Sequence, residues 1–137
     1  MKKLPLLGII LTALLFISKI NKGRDKINKN FDELICKEWK LQSYEEKGKK
    51  FPPAPEQKGD KMIFYKDNKV KSIESGYIQN GIWKYDATKS ILTVIDNDTK
   101  EKAVMKVIKL TNDECILEYK DPEGTLLKMY MLPVKKI

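Results

Sequence analysis

The side chains best suited to form a site in this sequence are large and apolar. The chain contains two Trp and five Met but no His, so it lacks the commonest general base. Met and aromatic side chains together make an adaptable apolar lining, which suits an acyl chain or a flat apolar molecule. The candidate ligand-binding residues are Trp39, Leu41, Phe64, Trp83, Tyr85, Met105, Leu117 and Met129. The same residues would also fill a packed core, and for the two Trp the sequence favours that role.

Catalytic and metal-binding chemistry has no comparable set of residues. Asp96 and Asp98 lie two apart, but a calcium loop needs a further acid where Lys100 stands. The sequence contains no nucleophile motif, no phosphate-cradling Gly loop and no cluster of metal ligands. We therefore expect no enzymatic activity, no metal and no cofactor.

The elements that must position the apolar side chains are β-strands. From residue 35 onwards, hydrophobic residues recur with a period of two. Turn residues separate eight predicted strands, which span residues 35–45, 61–65, 69–74, 77–85, 90–95, 100–110, 114–120 and 124–133. The long connection at 47–60 contains three Pro and two Gly, so we expect it to be irregular.

Short connections pair each predicted strand with its sequence neighbour in an antiparallel sense. Closing the first strand on the eighth removes both exposed sheet edges. The predicted fold class is therefore all-β, an eight-stranded antiparallel up-and-down barrel whose interior holds side chains or one small ligand. In the eighth strand apolar residues fall on both faces. Either Leu127, Met129 and Met131 face inward, or Leu126, Tyr130 and Leu132 do.

The N-terminal residues differ from the predicted barrel. Residues 4–18 form an apolar run of 15 residues after a short basic stretch. This run is shorter than the ~20 residues of a bilayer span and fits the core of a secretory signal. We assign residues 1–18 to a signal peptide or an N-terminal membrane anchor, residues 19–33 to a polar linker with a short helical turn, and residues 34–137 to the barrel. Both N-terminal alternatives predict an exported, periplasmic or envelope-associated protein, and the anchor alternative adds membrane association through residues 4–18.

Cys36 and Cys115 are the two cysteines, and an even number in an exported chain raises the question of a disulfide. They fall near the starts of the first and seventh predicted strands, which the eighth strand separates by ~9.6 Å. A direct bridge needs Cα atoms within ~7 Å. The spacing favours two buried thiols, and the pairing stays open.

The positive charge of the chain comes almost entirely from Lys. The net charge is +8, and Arg24 is the single Arg. Nucleic-acid sites favour Arg and clustered basic faces, whereas these Lys are scattered among Asp and Glu. We therefore expect no nucleic-acid partner.

Three short motifs, in order and at similar spacing, resemble the bacterial lipocalin-like domain family. They are Trp39-Lys40, Gly81-Ile82-Trp83-Lys84-Tyr85 and Leu110-Thr111-Asn112-Asp113-Glu114. The resemblance covers residues 34–134. It implies a small antiparallel barrel in an exported, often membrane-tethered protein.

Two functional hypotheses follow from the predicted barrel. The preferred one is an exported binding protein that holds a small hydrophobic ligand in the barrel. The alternative is a non-enzymatic structural or interaction subunit of a cell-envelope complex, which would use the barrel exterior and the loop at 47–60 to contact an envelope protein.

Overall fold

The computed structural model of the protein describes residues 24–135, with side chains from residue 30 onwards. In this part of the chain one α-helix precedes the strands, and a 3-10 turn, Pro55–Gln57, lies between the second and third strands. The elements are α1 (Arg24–Ile35), β1 (Glu38–Glu46), β2 (Lys49–Phe51), β3 (Lys61–Phe64), β4 (Lys69–Glu74), β5 (Tyr77–Asp86), β6 (Ile91–Asp96), β7 (Lys102–Leu110), β8 (Cys115–Lys120) and β9 (Leu126–Pro133). No described helix is long and apolar enough to cross a membrane.

The strands form a closed barrel. All pairs are antiparallel, and β3 to β9 pair in sequence order. The first barrel strand, β1, pairs with β3 on one side and with β9 on the other, so that Trp39 lies opposite Pro133 and Glu46 opposite Leu127. Eight strands, β1 and β3 to β9, therefore complete the ring. The predicted all-β, eight-stranded up-and-down barrel is confirmed.

The loop at 47–60 contains more regular structure than its Pro and Gly content predicts. Glu46 pairs with Lys49 across a two-residue turn, and β2 adds a short strand to the end of β1. Lys47 and Gly48 both have positive φ, 51° and 79°. This conformation gives the tight turn whose twist matches antiparallel strands. The prediction of an irregular loop was wrong for these residues.

The segment before β1 is a helix of 12 residues, longer than the short helical turn predicted within residues 19–33. Phe31 and Ile35 are four residues apart and so share one helix face. Both are buried, with 5% and 0% of their surface exposed. They join the barrel core and cover the barrel end where β1 begins. Residues 1–23, which include the predicted signal or anchor, lie outside the described residues.

The barrel has two different ends. We call the end that α1 covers the closed end, where the β3–β4, β5–β6 and β7–β8 turns lie. The opposite end is the mouth, where the β4–β5, β6–β7 and β8–β9 turns lie.

Position 81, in the middle of β5, requires a glycine. A Cβ atom there would overlap the carbonyl oxygen of Ile95 on the neighbouring strand, β6. The backbones of β5 and β6 therefore approach each other closely at Gly81.

Candidate ligand site in the barrel lumen

The closed-end half of the lumen is solidly packed. Five of the eight candidate ligand-binding residues lie in it and are at most 4% exposed: Trp39, Phe64, Trp83, Met105 and Leu117. They form one cluster with Cys115, Leu92, Val70 and Met131 and with the two buried side chains of α1. Such burial leaves their side chains in contact with one another and not with solvent, so they form the base beneath any ligand.

Both Trp side chains also have their polar groups satisfied by the fold. The indole Nε1 of Trp39 donates to the carbonyl oxygen of Ile35 at 2.9 Å, and that of Trp83 donates to the carbonyl oxygen of Tyr65 at 3.0 Å. A buried indole N–H needs a partner, and here the backbone supplies it. The two Trp therefore fix the closed end, in the core role that the sequence favours for them.

The turn between β3 and β4 holds Trp83 in place through its backbone as well. Asn68 has a φ of 66°, a left-handed conformation that Asn adopts more readily than most residues. Its Nδ2 donates to the carbonyl oxygen of Trp83 at 3.0 Å, and the backbone N–H of Trp83 donates to the carbonyl oxygen of Asn68 at 2.9 Å. This pair of bonds links the closed-end turn directly to β5.

Two further candidates, Tyr85 and Leu41, are only partly buried. The ring of Tyr85 stacks on the ring of Phe31, with centroids 3.6 Å apart and planes within 3°. The helix thus covers this Tyr at the closed end. Leu41 lies opposite the buried Met131 on β9 and so faces the lumen, just before a β-bulge where the register shifts between Leu41 and Ser43. It also borders a surface cleft.

The mouth half of the lumen is different, because its inward-facing side chains are only partly buried. Met129, the last of the eight candidates, packs against the core and lies opposite Tyr44 on β1 and Leu117 on β8. Cross-strand partners share a face of the sheet, so Tyr44 also faces inward. Met62 and Tyr119 are half-buried and pack on the same core. The mouth therefore presents thioether and phenol side chains above a solid base.

Charged groups lie close to this apolar surface. Burial raises the pKa of the Tyr119 phenol, and the nearby negative charges of Asp121 and Glu74, with Tyr44, raise it further. Glu74 ends β4 and Tyr119 lies on β8, so the two residues lie on opposite sides of the mouth. The Tyr44 ring lies 6.0 Å from that of Phe51 on β2, which extends the aromatic surface toward the rim. The mouth thus combines an apolar floor with hydrogen-bonding groups at its edge.

Among residues 30–135, no three His, Cys, Asp or Glu side chains gather to hold a metal ion. Cys36 and Cys115 are free thiols, as the strand spacing favours. Burial raises the pKa of Cys115 to about 12, and burial also raises the pKa of Cys36. Raised pKa values keep both groups as neutral thiols, which are weak nucleophiles.

The half-buried mouth residues Tyr44, Met62 and Tyr119 are not among the ligand-binding residues predicted from the sequence. For Met62 and Tyr119 the signal is present, since they alternate in step with the buried Phe64 and Leu117. For Tyr44 it is hidden by the bulge in β1. That bulge gives Tyr44 and Trp39 the same inward orientation, although five residues separate them.

Comparisons with known proteins agree with this geometry at the level of fold. No protein-family model and no curated protein matches the chain. Among solved structures, the chain is similar to the crystal structure of a lipocalin-like protein from Bacteroides uniformis ATCC 8492. The TM-score is 0.53 at 18% sequence identity, and the match covers 73% of this chain and 98% of the other. Together with the closed eight-stranded antiparallel barrel, this similarity identifies the fold of the chain as lipocalin-like.

Proposed function

We propose that the protein is an exported binding protein that holds a small apolar ligand in the mouth half of its barrel. The observation that carries this proposal is the division of the lumen. The closed-end half is filled by side chains, whereas the mouth half exposes an inward-facing surface of Met62, Met129, Tyr44 and Tyr119. Ligand sites in barrels of this size lie at such mouths. Export is supported by the apolar run at residues 4–18.

The shape and chemistry of the mouth define the ligand class. A solid base of Trp39, Trp83 and Leu117 limits depth, so the ligand is short or lies across the mouth. Flexible thioethers adapt to different apolar shapes. A hydroxyl or amide group on the ligand would meet Tyr119 and the Glu74 carboxylate at the rim. A flat apolar molecule with one polar end fits this arrangement best.

The test is a fluorescence titration with the neutral apolar probe N-phenyl-1-naphthylamine. The protein is residues 24–137, which include every described element, checked for folding by circular dichroism. We expect saturable binding of one probe per barrel. Replacing both thioethers by amides, Met62→Gln with Met129→Gln, keeps side-chain length but makes the floor polar. This change weakens binding by about tenfold or more, since each desolvated amide lacks a partner.

The matched control is Ile108→Ser, which removes an apolar side chain that is 42% exposed on the outside of the barrel. It should leave the dissociation constant unchanged. The proposal fails if the wild-type barrel shows no saturable binding, or if the Met62→Gln, Met129→Gln variant binds the probe as tightly as the wild type does.

A surface cleft supports the second candidate function, an interaction subunit of a cell-envelope complex. The cleft has a volume of about 340 Å³ and lies between β1 and the loop at 47–60, lined in part by Leu41, Leu132, Pro53 and Lys58. Leu132 is 38% exposed, so an inserted apolar side chain of a partner would find a contact surface. Cross-linking in intact cells tests it. A partner lost in Leu132→Asp but retained in Met129→Gln would support docking over ligand binding.

A further inference from the structure

The outer face of β3, β4, β5 and β6 carries a row of isoleucines. In each strand they have the opposite parity to a buried residue, Phe64, Val70, Trp83 or Leu92, so alternation directs these side chains outward. Ile73 lies directly opposite Ile78, and Ile82 directly opposite Ile95. Ile78 is 61% exposed and Ile82 is 37% exposed. We call this surface the isoleucine face; its members are Ile63, Ile73, Ile78, Ile82 and Ile95.

Lysines are interleaved with the isoleucines on the same outer surface. Cross-strand pairing places Lys71 opposite Ile63, Lys69 opposite Ile82, and Lys102 opposite Ile95. Pairing also places Lys61 opposite Ile73 and Lys84 opposite Thr93.

Three of these five lysines form no ion pair with a carboxylate among the described residues. Two of the five have acidic neighbours, since Lys61 lies 3.8 Å from Glu38 and Lys69 lies 3.5 Å from Asp67. Within residues 30–135, Lys71, Lys84 and Lys102 form no ion pair. The isoleucine face is therefore both apolar and positively charged.

We propose that the isoleucine face lies on an anionic lipid membrane. Apolar side chains that enter the headgroup region and Lys side chains that contact anionic lipids are the two components of interfacial binding. The cores of protein–protein interfaces, in contrast, are depleted of Lys. The interleaving of Lys with Ile thus favours a lipid surface over a protein partner as the occupant.

The sequence outside the described residues supports the same occupant. The apolar run at residues 4–18 ends only five residues before α1 begins at Arg24. Five extended residues span at most about 18 Å. A run of this kind held in a bilayer would keep the barrel beside the lipid surface, where even a weakly binding face is effectively concentrated against it. The proposal does not depend on a ligand in the mouth, because no mouth residue contributes to the isoleucine face.

Lysine acetylation, read residue by residue by mass spectrometry, tests the proposal on the full-length chain. The chain is reconstituted into vesicles of phosphatidylcholine alone, or of equal parts phosphatidylcholine and phosphatidylglycerol, so that any N-terminal insertion is the same in both. Each Lys at an anionic surface contributes about fivefold to binding. We expect Lys71, Lys84 and Lys102 to be acetylated at least fivefold more slowly in the anionic vesicles, and Lys120 on β8 at the same rate in both. High salt should abolish the protection.

Two matched variants separate the face from general membrane proximity. Ile78→Ser with Ile82→Ser removes exposed apolar side chains without touching the core, and should lose the protection. Ile108→Ser with Leu126→Ser removes side chains that are 42% and 50% exposed elsewhere on the barrel, and should keep it. Circular dichroism confirms that both remain folded.

Three results would overturn the proposal. The first is equal acetylation of the isoleucine-face lysines in the two vesicle types. The second is protection of Lys120 in their place, which would assign the lipid contact to another side of the barrel. The third is protection in phosphatidylcholine vesicles only when a co-purified protein is present, which would assign the isoleucine face to protein docking.

Discussion

Replacement of Trp83 distinguishes a structural plug from a ligand-stacking residue. The side chain is 1% exposed, donates a hydrogen bond to the carbonyl oxygen of Tyr65, and has the ring of Phe31 at 6.0 Å and that of Phe64 at 6.1 Å. If these contacts define its role, Trp83→Phe and Trp83→Ala lower the free energy of unfolding in that order. A residue that only stacks on a ligand would change binding and leave stability nearly unaltered.

The size of each effect follows from the groups that are lost. Trp83→Phe removes one hydrogen bond, worth about 1 kcal/mol, and two buried ring carbons, worth roughly 1 to 1.5 kcal/mol further. We expect a total near 2 kcal/mol. Trp83→Ala leaves a cavity against the rings of Phe31 and Phe64, for which the expected loss is about 3–5 kcal/mol. The second value approaches the whole stability of many small domains.

Urea denaturation followed by far-ultraviolet circular dichroism measures both variants, because Trp fluorescence is itself changed. With a slope of about 1.5 kcal/mol per M, Trp83→Phe should lower the midpoint by roughly 1.3 M. The matched comparison is Ile82→Ser, one residue away on the outer face, which should shift the midpoint little. A Trp83→Phe midpoint within about 0.3 M of wild type would refute the assignment of Trp83 to the packed base.

Three other predictions test the closed end and its strands. Gly81→Ala should lower the free energy of unfolding by about 1–3 kcal/mol because the new methyl overlaps backbone, whereas Gly59→Ala, which meets open space, should be nearly neutral in the same urea titration. Asn68→Ala should cost about 1–2 kcal/mol, since it removes a side-chain hydrogen bond and the residue type suited to positive φ, and Asn68→Gly, which adopts positive φ freely, should recover part of that loss. Burial raises the pKa of Cys115 from an unfolded value of ~8.5 to about 12, so its contribution to stability is full below pH ~8.5 and is lost as the pH rises toward 12. Alkaline unfolding should therefore be shallower in Cys115→Ala, and iodoacetamide should modify Cys36 first in the native protein.

The strands and their closure could be predicted from sequence because two independent signals agree. Alternating hydrophobicity defines each strand, and tight turns define its partner. Ser75 and Gly76, for example, both have positive φ between β4 and β5. The inward face of β9 could not be predicted, because Leu126 to Leu132 is apolar on both faces. The pairing of β9 with β8 shows which face is inward. Met129 pairs with the buried Leu117 and therefore points into the barrel.

The length of the helix, and whether side chains fill the lumen, could not be predicted from the sequence. Within α1 most residues are polar, and the two side chains shown to be buried, Phe31 and Ile35, are four residues apart. That pair fills the closed end, and without it Tyr85 would stay open to a ligand. A filled core and a ligand cavity require the same residue types, so composition cannot separate them. Only the three-dimensional position of the helix shows which half of the lumen is solid.

The pairing of β1 with β9 makes completion of the fold depend on contacts that are far apart in the sequence. Trp39 lies opposite Pro133, so a nascent chain cannot form this seam until residue 133 has left the ribosome. Contacts so distant in sequence form slowly, because a long loop must close first. Until then the two strands expose unpaired backbone edges to neighbouring nascent chains. Loss of β9 should therefore leave an aggregation-prone open sheet and not a slightly smaller barrel.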